Sequence, residues 1–329
     1  ALALVAQLVS AAWHEEAPRA QTEGSSSVKF IIASTQRSGS TYLGELLNNS
    51  PNVIFYRELF MRDNFAILER ARRLNTTVFR NSKEYPYDLW SEGLDLGLEQ
   101  PCSEMKAVGF KWMMNQGLEA NMDKAIQQLN EQSIRVVVLE RTNFLRQAIS
   151  EYAMETNNGP VHAHAGESTT KSNAVDVPAE YFMYYFRRHE QWSMGLRNLA
   201  EKTKFSMYIP YEEFVQDKQT YVTQLQEFLQ LGDNASEILQ GDHLQKLHEG
   251  SIDDLVTDWA QKREVLLQTE FADRVKLWEQ DDTAAASKQS QMSSAISLIE
   301  RGNSLQRIHR GGNEHLWLLE RKCPEYKWK

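Results

Sequence analysis

The chain has 329 residues, of which 41% are hydrophobic and 25% charged, a balance that fits an ordinary globular protein and argues against a disordered chain or an integral membrane protein. A formal net charge of −9 argues against a broad nucleic-acid footprint, which needs an excess of lysine and arginine over a sizeable surface. An anionic ligand must therefore be met locally, and the two cysteines, Cys102 and Cys323, are too few for a disulfide framework and lack metal-ligand spacing.

Residues 1–27 read as an apolar and then flexible N-terminal segment. Ala1 to Trp13 is an apolar run too short to cross a bilayer. It fits the remnant of a secretory signal as well as a short terminal helix, so the compartment, Golgi/secretory lumen or cytoplasm, stays open. One folded domain is expected over 28–280, followed by a tether and C-terminal extension over 281–329, where Ser, Gln and Ala dominate before Trp317 and Trp328.

Val28 to Ser34 is a short apolar run before a glycine-containing turn, which predicts a buried strand. Leu43, Leu46 and Leu47 then share one face at helical spacing. Further strands are expected at Val53–Tyr56, Ala107–Met113, Ile134–Leu139 and Phe205–Ile209. Helices are expected at Phe65–Leu74, Asn121–Glu131, Phe144–Glu155, Pro178–Lys202, Thr220–Leu231 and around Ile252–Trp259. The continuous β-branched run Val136-Val137-Val138 fits a strand covered on both faces, and the β-then-α order predicts an α/β three-layer sandwich with a mostly parallel central sheet.

Gln36-Arg37-Ser38-Gly39-Ser40-Thr41 falls between the first strand and the first helix. Backbone N–H groups at such a turn, with the positive end of the helix dipole behind them, make a site for a phosphate-type anion. Gly39 allows close approach, Ser38, Ser40 and Thr41 add hydroxyls, and Arg37 adds a permanent charge. A Ser/Thr-rich turn also serves as a plain helix cap. The segment lacks the Gly-Lys-Ser/Thr ending of the ATP/GTP loop.

Thr35 to Thr41 resembles the 5′-phosphosulfate loop of sulfotransferases that use 3′-phosphoadenosine 5′-phosphosulfate (PAPS), with arginine where cytosolic members carry lysine. The segment Arg141-Thr142-Asn143-Phe144-Leu145-Arg146-Gln147-Ala148-Ile149-Ser150, after a hydrophobic strand, is similar to their 3′-phosphate site. The resemblance runs from about Val28 to about Leu277 and looks closest to the bacterial trehalose-sulfotransferase type. It implies the P-loop nucleotide-hydrolase-like sulfotransferase fold, PAPS as co-substrate without a metal, and a hydroxyl or amine acceptor such as a carbohydrate or small metabolite. By the same resemblance Arg37, Ser38, Gly39, Ser40, Thr41 and Tyr42 hold the 5′ end, Arg141 and Ser150 the 3′-phosphate, and Tyr211, at the end of a late strand, lies near the adenine.

Sulfuryl transfer needs a base for the acceptor proton and a cation for charge on the leaving phosphate. Arg37 suits the second role, and Glu58, after the second strand, resembles the glutamate base of trehalose-type enzymes. An ion pair with an arginine is the structural alternative for Glu58. His162 and His164, on a glycine-flanked loop, are rival bases, and Lys111 is a candidate for the sulfuryl oxygens. Two other readings remain at the level of sequence: a metal-dependent nucleotide kinase in which Glu140 imitates a Walker B acid, and a non-catalytic nucleotide-binding module. No nucleic-acid partner and no membrane span are expected, and homo-oligomerisation is left open.

Overall fold

The structure, a computed structural model, describes residues 27–58, 60, 105–156, 174–232 and 251–280. The expected helix at Phe65–Leu74, the histidines His162 and His164, the apolar N-terminal run and the extension beyond Gln280 lie outside the described residues.

Five strands form one sheet: β1 (Val28–Ser34), β2 (Val53–Glu58), β3 (Ala107–Met113), β4 (Arg135–Glu140) and β5 (Ser206–Pro210). Their order is β2-β3-β1-β4-β5, and every pairing is parallel. Among the described residues the helices include α1 (Ser40–Asn49), α2 (Met122–Glu131), α3 (Phe144–Glu155), α4 (Ala179–Lys202), α5 (Tyr211–Gln216), α6 (Lys218–Leu229), α7 (Ile252–Leu255) and α8 (Trp259–Leu266), and residues 272–280 are helical as well.

The pleat of the central strands explains the layers. Ile31 and Ala33 of β1, with Val136 and Val138 of β4, point to a core closed by Ala125 and Leu129 of α2 and Leu196 and Leu199 of α4. Their neighbours Phe30, Ile32, Val137 and Leu139 point the other way, into a core closed by Leu43 and Leu47 of α1 and Val222, Leu225 and Leu229 of α6. Strands buried on both faces read as continuous apolar runs, as β4 does. A third cluster, with Phe182, Phe186, Trp259, Phe271 and Trp278, packs α3 and α4 against the end of the described chain. The expected α/β three-layer sandwich is the observed architecture.

Two local expectations need correction. Ile252–Trp259 is two helices, because Val256 leaves the helix to bridge Val175 and Asp258 takes a left-handed φ of 53°. Tyr211 starts helix α5, since Pro210 closes β5 with an extended backbone and the chain turns immediately into the helix. A π-helical turn at Met114–Leu118, with Gly117 at φ 84°, follows β3 and has no hydrophobic period to announce it.

Candidate functional site

Strand order decides where the site forms. In an open parallel sheet, ligands bind outside the carboxyl ends of strands where connections diverge. Here β1 lies between β3 and β4, and Ser34 is in register with Leu139. The Ser34 hydroxyl donates to the Leu139 carbonyl at 2.7 Å, so the segments after both strands leave the sheet together.

The first of these segments is the loop Thr35–Gly39. Arg37 has φ 57° and Gly39 φ 84°, and α1 starts at Ser40, so the loop curls its backbone at the positive end of a ten-residue helix. A Cβ on Gly39 would fall 2.4 Å from Cε2 of Tyr211, so glycine is required there by contact as well as by φ. The Ser38 hydroxyl is turned inward, donating to the Thr35 carbonyl at 2.7 Å beside the Ser34 hydroxyl. Ser40 is buried against Met113, and Tyr42 packs on Phe214 with Lys218 over its ring. The Gln147 side-chain amide donates to Thr35 Oγ1 at 2.7 Å and to the Gln36 carbonyl, pinning the loop to α3.

The second segment carries Arg141. Its Nη1 donates to the Arg37 carbonyl at 3.0 Å, and its guanidinium lies 5.0 Å from the centroid of the Tyr211 ring. Glu212, beside that tyrosine, accepts from the Thr142 and Asn143 backbone N–H groups at 3.1 and 2.9 Å and from Thr142 Oγ1 at 3.1 Å. A carboxylate at the start of α3 both satisfies free N–H groups and complements the helix dipole. The turn bearing Arg141 and the helix bearing Tyr211 are thereby fixed to each other.

Arg37, Arg141, Ser150 and Tyr211 are therefore joined in one chain of contacts. Arg37 Nε donates to Ser150 Oγ at 2.8 Å, linking the loop to the helix of the second anchor. Burial pulls the Arg37 guanidinium below its ordinary pKa, with Glu151 opposing and Arg141 adding to the effect.

Glu58 lies at the end of β2, where a register irregularity between Tyr56 and Glu58 sets it opposite Lys111. Its Oε1 is 2.7 Å from Lys111 Nζ, and its Oε2 accepts from Gln116 Nε2 at 2.6 Å. Lys111, 5% exposed and inside β3, also donates to Thr41 Oγ1 at 2.9 Å. This lysine joins the carboxylate to the first turn of α1, so the arginine ion pair that the sequence left open is a lysine pair here. Gln116 carried no motif that could have picked it out. Gln147 lies within the family-like segment from Arg141 to Ser150, one helical turn before Ser150 on the same face of α3, and Glu212 follows Tyr211, but no sequence pattern assigned either of them a role.

Glu140 has a different fate from the one a kinase requires. Its buried carboxylate accepts from the Ser193 and Tyr208 hydroxyls and pairs with Arg197 at 3.3 Å, so it ties β4 to α4 and β5. Those protein donors take both of its oxygens, and a Walker B role would need them for a metal.

Residues 27–264 match the family model described as "Sulfotransferase domain". Solved structures that resemble the chain include a sulfotransferase from Mycobacterium avium (10% identity, 74% of this chain and 76% of that one, TM-score 0.39). A mouse sulfotransferase complexed with PAP (12%, 79% and 89%, 0.39) and the sulfotransferase domain of a Synechococcus olefin synthase (14%, 94% and 100%, 0.38) are others. At these scores the structural likenesses carry no argument, and no curated protein is similar enough to match. The family match stands without them, is to the general domain rather than to the trehalose type, and spans well over half the chain, including the loop at Arg37, the whole sheet and the segment from Arg141 to Ser150; the chain belongs to the sulfotransferase domain family.

Proposed function

We propose that this protein transfers the sulfuryl group of PAPS to a hydroxyl or amine acceptor. The observation that carries the reading is the junction of Arg37 and Arg141: two guanidinium groups from adjacent strand ends, one linked to the other's main chain, beside a helix N-terminus and the Tyr211 ring. One cationic site faces the phosphosulfate and the other a second phosphate, which suits a nucleotide phosphorylated at both 5′ and 3′ positions. Arginine is matched to this task because its planar fork meets phosphate oxygens in pairs. The buried Nε of Arg141, which has no hydrogen-bond partner, is a donor that such a phosphate would satisfy.

In the transfer, the acceptor oxygen or nitrogen forms a bond to sulfur as the bond from sulfur to the leaving phosphate oxygen breaks. The electron pair departs with adenosine 3′,5′-bisphosphate, and Arg37 with the start of α1 stabilises the charge that develops there. The acceptor proton passes to Glu58. Lys111, held between Glu58 and Thr41, directs a positive charge at the oxygens of the group in flight. The acceptor belongs to the same proposal as a carbohydrate or small metabolite.

The assignment of the two ends is tested by calorimetric titration of Arg141→Ala. Loss of a hydrogen bond to a charged group predicts that adenosine 3′,5′-bisphosphate binds more weakly by about 1.5–3 kcal/mol. Binding of 5′-AMP should change little; equal losses for both nucleotides would contradict the assignment.

A further inference from the structure

Among the described residues, Arg141 Nε, Gln147 Oε1, Glu151 Oε2 and the Tyr185 hydroxyl are buried without a hydrogen-bond partner. They come from the three elements that meet beside Arg37: the turn after β4, helix α3 and helix α4. Tyr185 is 4% exposed and Gln147 fully buried, so bulk water does not compensate them. Buried groups left in this way cost their full desolvation, and a protein rarely gathers several of them in one place without something to fill it. Ser150 belongs to the same group. Its oxygen accepts from Arg37 Nε, which leaves its own O–H free to donate.

Ring packing fixes the tyrosine. Tyr185 stacks on His189 at 3.9 Å and on Tyr181 at 5.9 Å, and Tyr181 turns its own hydroxyl away to Glu155. Glu151 follows Ser150 directly on α3, and Met154, one turn beyond Ser150, also touches Arg37. The charged and titratable groups that face Glu151 are Glu155 on its own helix, Arg37 on the loop, Tyr181, Tyr185 and Arg188 on α4, and Glu58 on β2. Tyr185 is coupled in turn to Glu151, Tyr181, Arg141 and Arg37.

We propose that Glu151 and Tyr185 are further ligands of the phosphate gripped by Arg141 and Ser150, with Glu151 entering as the neutral acid, so that binding takes up a proton. This rests on the reading of the site as one for a doubly phosphorylated nucleotide. The chemistry follows from the donors. A phosphate dianion accepts hydrogen bonds from Arg141 Nε, the Tyr185 hydroxyl and the Ser150 hydroxyl. A carboxylate cannot face the same oxygens, because lone pairs would oppose lone pairs in a buried site. With a proton, Glu151 becomes a fourth donor. Burial, with Glu155 adding to it, pushes this carboxyl from its ordinary 4.5 up to about 7 even without a ligand, so the proton is cheaply held near neutrality. A dianion nearby raises it further.

The free carboxyl is mostly ionised at pH 8 and mostly protonated at pH 6, which fixes the sign and window of the linkage. Free phosphate monoesters have a second pKa of about 6, so at pH 8 the ligand brings no proton of its own. Titration calorimetry of the full chain with adenosine 3′,5′-bisphosphate, in two pH 8 buffers of different ionisation enthalpy, should report uptake approaching one proton. With 5′-AMP, which lacks the 3′-phosphate, it should report close to none. Glu151→Gln, a neutral donor of the same shape, should abolish the uptake while keeping affinity for the bisphosphate. Tyr185→Phe should weaken the bisphosphate about tenfold or more, the loss of one hydrogen bond to a charged group, and leave 5′-AMP unchanged. Bisphosphate binding without proton uptake, or uptake that persists in Glu151→Gln, overturns this inference and leaves the donor reading standing. Failure of the wild-type chain to bind the bisphosphate at all overturns both.

Discussion

Glu58 and Lys111 show how two residues acquire a role that neither has alone. A glutamate between aromatic and apolar neighbours on a strand end has no fixed direction in sequence. The register irregularity before it turns its carboxylate to Lys111, and Gln116 from the π-helical turn takes the other oxygen. Held at both oxygens, the group has lost the rotational freedom that a proton transfer would otherwise have to pay for. Glu58→Gln is expected to leave nucleotide binding intact, because no phosphate contact is removed, and to lower turnover by about 10²–10⁴, the usual worth of a general base. Steady-state rates beside a nucleotide titration check this. Retained turnover would move the proton acceptor to His162 or His164. The place of Glu58 at the end of the second strand was legible in the sequence, but its partner was not: the lysine that secures it is 53 positions away, beyond the reach of any local pattern.

At the scale of elements, the loop between β1 and α1 was the most legible part of the chain. The apolar run, the glycine and the following leucine face defined strand, turn and helix closely, and β1 and β3 have the expected bounds. What the turn needs was only half visible. Gly39 has a positive φ, which its chemistry suggests, but it also lies beneath the Tyr211 ring, a contact that connects the loop to helix α5. Gly39→Ala should therefore cost about 1–2 kcal/mol of stability from the left-handed backbone alone. It should cost nucleotide affinity beyond that, because Tyr211 and the stacked Arg141 must shift. Denaturant unfolding and bisphosphate titration separate the two effects; full affinity in a destabilised variant would show that the Tyr211 contact is dispensable. Tyr211 itself was expected at a strand end and begins a helix instead. Propensity could not show this, since Pro210 suits a strand end and a helix entry equally. The break at Asp258 escaped the sequence for a related reason: the apolar stripe Ile252, Leu255, Val256 and Trp259 has helical spacing although the backbone changes hand within it.

At the scale of the molecule, the fold class followed from alternating strand and helix patterns, but the strand order did not. Sequence gave five strand segments without saying that β1 would lie between β3 and β4, and it is this order that brings a loop near residue 37 to a turn near residue 141. Long-range pairing is set by how two apolar faces are covered at once, here by α2 and α4 on one side and α1 and α6 on the other. Glu140 shows the same limit. An acid at the end of a hydrophobic strand suggests a metal ligand until the sheet is assembled and Ser193, Tyr208 and Arg197 close around it.

The central proposal is that the site built around Arg37 and Arg141 binds adenosine phosphorylated at both 3′ and 5′ positions. Calorimetric titration of the wild-type chain with adenosine 3′,5′-bisphosphate and, separately, with ATP and Mg²⁺, each repeated in EDTA, tests it most directly. The bisphosphate should bind more tightly than ATP, and EDTA should leave that binding unchanged. Tighter binding of ATP, dependent on Mg²⁺, would contradict the account.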